Sequence, residues 1–141
     1  MKIIYEKLEE LDEVAKKILA FAQHKSKIWL LKGQMGAGKT TLAKALAKEM
    51  GITNIVQSPT YSLVNEYQSS KIGKIYHFDL YRIQSEEEAL DFGIEEYLDS
   101  GHYCWIEWAE RAPSLLPKNC LHLEIELNPV NELRTISLYI S

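Results

Sequence analysis

Gly33, Gly38, Lys39 and Thr40 meet the spacing G-x-x-x-x-G-K-T inside the stretch GQMGAGKTT, Gly33 to Thr41. Residues of these types so spaced do phosphate chemistry. Gly33, Gly36 and Gly38 keep side chains out of the way, so backbone N–H groups, that of Ala37 included, can turn inward around an anion. Lys39 has the reach for β- and γ-phosphates, the Thr40 hydroxyl can ligate Mg²⁺, and Thr41 is placed to donate to an α-phosphate. A helix opening near Thr40 adds the positive end of its dipole. Such a loop needs an acid opposite it, at the end of a neighbouring buried strand, to organise magnesium and water. Glu107, closing HYCWIE, and Asp79, within IYHFDLY, are the two candidates. Either could fill the role, and each could instead be a strand carboxylate paired with a nearby lysine or arginine.

The elements that must position these groups are legible around them. Leu8, Leu11, Ala15, Ile18 and Ala22 recur at three- and four-residue spacing, an amphipathic helix of about four turns. IWLLK, Ile28 to Lys32, is a short apolar run stopped by Gly33, the pattern of a buried strand. Leu42, Ala43, Leu46 and Met50 mark the face of the helix after the loop, with Gly51 placed to end it. YSLVNEY and KIYHFDLYRI read as strands around a loop, QSSKIGK, and SEEEAL reads as a serine-capped helix start with acids in its first turn. CLHLEIEL and RTISLYI alternate apolar and polar residues and read as an antiparallel pair. The expected fold is therefore a single α/β domain over residues 1–141: a P-loop NTPase-like mixed sheet with a parallel core, antiparallel strands at the periphery and flanking helices.

Composition narrows the classes. With 46% apolar and 26% charged residues among 141, the chain has the make-up of a soluble globular domain. A net charge of -4 argues against a surface that grips nucleic acid by itself. The acidic N-terminus, MKIIYEKLEE, does not form a signal peptide, and no run approaches a membrane span, so a cytoplasmic location is expected. Cys104 and Cys120 lack metal or CxxC spacing; Cys104, inside an apolar run, reads as a buried reduced thiol. His77 and His102 read as core or edge histidines. Trp105, Trp108, Tyr61, Tyr67 and Tyr81 read as core residues or, in part, as a contact surface, and DFG at Asp91–Gly93 reads as a helix ending in glycine.

No N-K-x-D signature follows the loop, which disfavours a GTPase. Only three arginines, Arg82, Arg111 and Arg134, disfavour a small-molecule kinase, whose lid would use several to hold the transferred group. What fits is a minimal nucleotide domain whose hydrolysis serves something else.

GQMGAGKTTLAKAL, SPTYSLVNEY, YHFDLYRI, GIEEYL and IEWAER, in this order and spacing, resemble the bacterial TsaE (YjeE) family, from the first helix to the last strand. Gln34 and Met35 depart from the acid and leucine the family often has there, at side chains not needed to hold phosphates. The resemblance implies an ATPase that binds ATP and Mg²⁺ and hydrolyses slowly alone. It implies service to TsaD and TsaB, which modify tRNA with threonylcarbamoyladenosine, so that tRNA is met only through the complex. By position it implies Thr40 and Glu107 as the magnesium-associated pair, Asp79 as the acid of the switch-like segment and Arg134 as a basic group near the nucleotide, with Lys39, Asp79 and Glu107 the candidate catalytic residues. The stretch from Ser58 to Tyr67, with Ser58, Thr60 and Tyr61 foremost, is implied as a switch that senses the γ-phosphate.

Overall fold

The computed structural model describes every residue except Met35, Ser58 and residues 60–62. Its frame is a seven-stranded sheet of order β1-β7-β6-β2-β5-β4-β3. The strands are β1 (Lys2–Tyr5), β2 (Ile28–Gly33), β3 (Val64–Ser69), β4 (Gly73–Asp79), β5 (Tyr103–Glu107), β6 (Leu121–Leu127) and β7 (Arg134–Ile140). β6, β2, β5 and β4 are parallel, while β1 and β7 on one side and β3 on the other pair antiparallel. The expected parallel core with antiparallel periphery is the fold observed.

Strand alternation divides the core in two. Trp29, Leu31 and Trp105 point to the face covered by α1 (Leu11–Ala22) and α2 (Lys39–Glu49). Leu30, Phe78 and Ile106 point to the opposite face, where α3 (Glu86–Asp91) and α4 (Ile94–Leu98) pack. α1 buries Leu11, Val14, Ala15, Ile18 and Ala22. Leu8, expected on that stripe, falls instead in a 3₁₀ turn before the helix and is exposed, because the Glu10 carboxylate accepts the Glu6 and Lys7 N–H groups and bends the chain there. Gly51, at φ 78°, ends α2 as expected, and the Ile52 N–H returns to the Ala47 carbonyl at 2.9 Å.

Three local readings are adjusted by the structure. β1 was not anticipated: it has only four residues, of which Ile3 and Tyr5 face inward against β7. Ser85 holds the capping position of α3 without a side-chain cap bond, and Glu88 instead accepts the Gln84 N–H at 3.2 Å. The loop read as QSSKIGK is shorter, since β3 runs through Ser69 and β4 begins at Gly73. DFG is the junction of α3 and α4, with Gly93 at φ 86°. Cys104 and Cys120 are buried and free, and no helix among the described residues is long and apolar enough to cross a membrane.

Candidate functional site

The carboxyl ends of the parallel strands meet at one edge, where open α/β sheets bind ligands. Leu31 of β2 is in register with Glu107 of β5, and Glu107 with Asp79 of β4. Two residues after Leu31, β2 ends at Gly33 and the glycine loop begins. A Cβ on Gly33 would stand 2.5 Å from Ile125 Cγ2 and 2.9 Å from the Ile125 carbonyl oxygen, so only glycine lets β2 lie this close to β6 as it turns. Gly38, at φ 107°, makes the left-handed step into α2, which opens at Lys39. The first-turn N–H groups of α2, from Lys39 to Thr41, have no carbonyl one turn back within the helix, the arrangement by which a helix start can receive an anion. The Thr40 and Thr41 side chains are exposed on that turn.

Ala37 is buried and pins the loop from both sides. Its N–H closes a turn onto the Gln34 carbonyl at 3.0 Å, and its carbonyl accepts Arg134 Nε–H at 2.9 Å. Arg134, from the start of β7, thereby packs behind the loop within 3.3 Å of where a Gly38 Cβ would be. Its contact is with loop backbone, so it holds the cradle's shape.

Lys39 and Glu107 converge. Lys39 Nζ lies 3.7 Å from Glu107 Oε1, with only 17% and 7% of the two side chains exposed. The second oxygen, Oε2, is hydrogen-bonded to His77 Nε2 at 2.8 Å. Asp79 stands level with Glu107, but its Oδ1 accepts the Tyr81 N–H at 2.9 Å, which steadies the chain as it leaves β4. Of the two acids, Glu107 is the one set against the loop lysine.

Trp108 follows Glu107 with φ 60°, a conformation unusual for so large a residue. Its ring packs on Tyr81 at 4.8 Å between centres, with Lys39 Nζ 5.6 Å from one ring and the Arg111 guanidinium 5.8 Å away. Trp105 and Tyr67 are core; Trp108 and Tyr81 lie past the ends of β5 and β4 and are 37% and 53% exposed. A cavity of about 620 Å³ lies beside the loop, bordered by Gly33, Lys39, Trp108, Glu110, Glu124 and Glu126. That is ample for a nucleotide-sized ligand. Its wall carries the three glutamates together with two lysines, Lys32 and Lys39.

The oxygen donors Thr40 and Glu107 are hard ligands of the kind magnesium takes. Among the described residues no three His, Cys, Asp or Glu side chains gather as a metal cage. Thr40 and Glu107 thus suit a magnesium ion that takes its remaining ligands from phosphate and water. Ser58, Thr60 and Tyr61, the implied switch residues, lie outside the described residues, while Val64 to Tyr67 form the first part of β3. Tyr67 and His77 escaped the sequence reading as site residues. The available signal was parity: His77 is two residues before Asp79 and so shares its side of the sheet with Glu107.

The sheet order, the glycine loop opening a helix, and the acid facing its lysine define an α/β domain of the P-loop NTPase-like class. Within it, the chain belongs to the TsaE family: the family profile described as "Threonylcarbamoyl adenosine biosynthesis protein TsaE" matches residues 5–136. It is 39% identical to the tRNA threonylcarbamoyladenosine biosynthesis protein TsaE of Bacillus subtilis, over 84% of this chain and 72% of that protein. It is 38% identical to the protein of the same name from Aquifex aeolicus, over 98% and 95% of the two chains. A crystal structure of Bacillus subtilis YdiB superposes with a TM-score of 0.77 at 30% identity, covering 100% of this chain and 84% of that one.

Proposed function

We propose that this chain is the Mg-dependent ATP-binding and hydrolysing subunit required for threonylcarbamoyladenosine formation in tRNA, acting as a nucleotide switch on the TsaB–TsaD transferase complex and not as the transferase. The observation that carries the reading is the approach of Lys39 Nζ to Glu107 at 3.7 Å at the mouth of the glycine loop, in a member of the TsaE family. Lys39, Thr41 and the first-turn N–H groups of α2 bind the phosphates, with Thr40 and Glu107 holding magnesium. Bound there, the ion supplies neutralisation of charge on the β- and γ-phosphates. On phosphate binding Lys39 turns from Glu107 to the anion. Arg134 keeps the loop in shape through Ala37. Loss of the γ-phosphate alters what Lys39 and Glu107 hold, and a partner leaning on this edge senses the change.

The test is phosphate release from Mg·ATP by the chain alone and with TsaB and TsaD added, together with tRNA modification in the reconstituted system. A slow rate that the pair raises sharply, with modification abolished by Lys39→Ala and by Glu107→Ala, is expected. Full modification with Lys39→Ala refutes the reading. A phosphorylated small molecule as product would make the chain a kinase. Partner affinity that differs between ATP and ADP, with phosphate release at background, would make it a gated binding module.

A further inference from the structure

Three buried polar side chains from adjacent strands lie beneath the loop: Tyr67 of β3, His77 of β4 and Glu107 of β5, each no more than 5% exposed. Buried polar groups are costly unless every member is satisfied, and a satisfied set is rigid. This set forms a continuous line. Glu107 Oε2 is bound to His77 Nε2 at 2.8 Å, and His77 Nδ1 to the Tyr67 hydroxyl at 2.9 Å. The Tyr67 hydroxyl then meets the backbone of Gln57 twice, donating to its carbonyl at 2.8 Å and receiving its N–H at 3.2 Å. Asn65 Nδ2 adds a bond to the same carbonyl at 3.1 Å. The rings are wedged against Trp105, 5.8 Å from His77 and 6.4 Å from Tyr67, so neither can turn freely.

The geometry has a consequence for the acid. With Oε2 held from below, Glu107 presents Oε1 to Lys39, and its rotation requires His77 to move. His77 cannot move without disturbing Tyr67, and Tyr67 holds Gln57, on the connection from α2 to β3. We propose that Tyr67 and His77 are positioning residues forming a relay that couples the backbone at Gln57 to the orientation of the Glu107 carboxylate, so that movement at Gln57 turns the acid toward or away from the phosphate loop. The relay deepens the ATPase reading and rests on it for the acid's role. Its physical coupling can be tested without nucleotide.

Amide exchange at Gln57 is read by NMR in nucleotide-free native protein, His77→Leu, Glu107→Ala and the double variant. The relay predicts roughly fivefold faster exchange in each single variant, the factor one net hydrogen bond represents, and no further gain in the double. Unchanged exchange in both single variants with β4 and β5 amides still protected overturns the proposal, and so does additive acceleration. Tyr67→Phe, which deletes one oxygen atom, gives a milder variant should Glu107→Ala not fold. It should lower kcat for ATP by about tenfold and leave KM unchanged, as loss of a group that orients a metal-associated carboxylate does. His77→Gln keeps a donor for Glu107 and should recover part of the kcat lost in His77→Leu. A native kcat in folded Tyr67→Phe and His77→Leu overturns the relay. Failure of the ATPase reading looks different: native protein releases no phosphate with or without TsaB and TsaD, while the Gln57 comparison still decides the relay.

Discussion

Gly33→Ala adds one carbon at the point where β2 becomes the phosphate loop, and its cost can be worked from the contacts it makes. The new Cβ would meet Ile125 Cγ2 at 2.5 Å, the Ile125 carbonyl oxygen at 2.9 Å and Lys39 Cγ at 3.2 Å. Lys39 can shift, but Ile125 is 1% exposed and is the β6 residue in register with Gly33. Overpacking of this kind costs about 1–3 kcal/mol. Against it, alanine lowers the freedom of the unfolded chain, a gain of about 0.4–1 kcal/mol. The balance is a loss of about 1–2 kcal/mol, which lowers Tm by several degrees at roughly 3 °C per kcal/mol. Because β2 must move off β6 at the loop's first residue, binding of a fluorescent ATP analogue weakens as well. The assay is thermal unfolding followed by circular dichroism, run as a double-mutant cycle with Ile125→Ala. That second change removes Cγ2 and leaves the carbonyl, so Gly33→Ala should cost about half as much in its presence without becoming neutral. An unchanged Tm for Gly33→Ala, or the same cost in both backgrounds, refutes the reasoning.

Further outcomes follow from other contacts. Arg134→Gln removes the Nε–H bond to the Ala37 carbonyl and should cost about 1 kcal/mol in urea unfolding; equal stability with unaltered ATP-analogue affinity would mean the loop does not need this buttress. Trp108, at φ 60°, tests backbone strain. Both Trp108→Ala and Trp108→Gly lose the Tyr81 contact, but glycine tolerates the left-handed region, so the glycine variant should be the more stable by about 1 kcal/mol, and the reverse order would contradict that geometry. Burial pushes the Cys104 thiol from 9.0 up to about 12. Its folded form therefore keeps a proton that the unfolded form releases, so its contribution is complete below pH 9 and is lost as the pH rises from 9 toward 12. Burial also raises Tyr5 and Tyr67, which add to the alkaline loss above pH 10. Cys104→Ala should flatten the stability curve between pH 9 and 12, measured by urea midpoints, and a curve of unchanged slope would show that the thiol does not titrate there.

Much of the site was legible because its grammar is local. Glycine spacing, the lysine at the helix start and the apolar run before it lie within fourteen residues, Ile28 to Thr41, and each follows from backbone freedom or helix-end chemistry. The acids were legible as a pair of alternatives, since strand-end carboxylates look alike in sequence. Register separates them: Glu107 is on the strand next to β2, whereas Asp79 is one strand further out and spends an oxygen on its own turn. Trp108 and Trp105 differ by three residues and read alike as core; the first lies beyond the strand end and the second within it.

The chain's own residues determined the loop, the helices that flank it, the paired strands at its end and, through five quoted motifs, the family. These depend on periodicity, on glycine's freedom and on short runs of neighbouring side chains, all of which are properties of a few consecutive residues. Tertiary structure alone decided that Arg134 braces a loop 97 positions away, and that Tyr67, His77 and Glu107 join into one hydrogen-bonded line beneath it. Those contacts arise from the order in which β3, β4 and β5 are laid side by side, and strand order is a property of the whole sheet, set by the burial of both its faces.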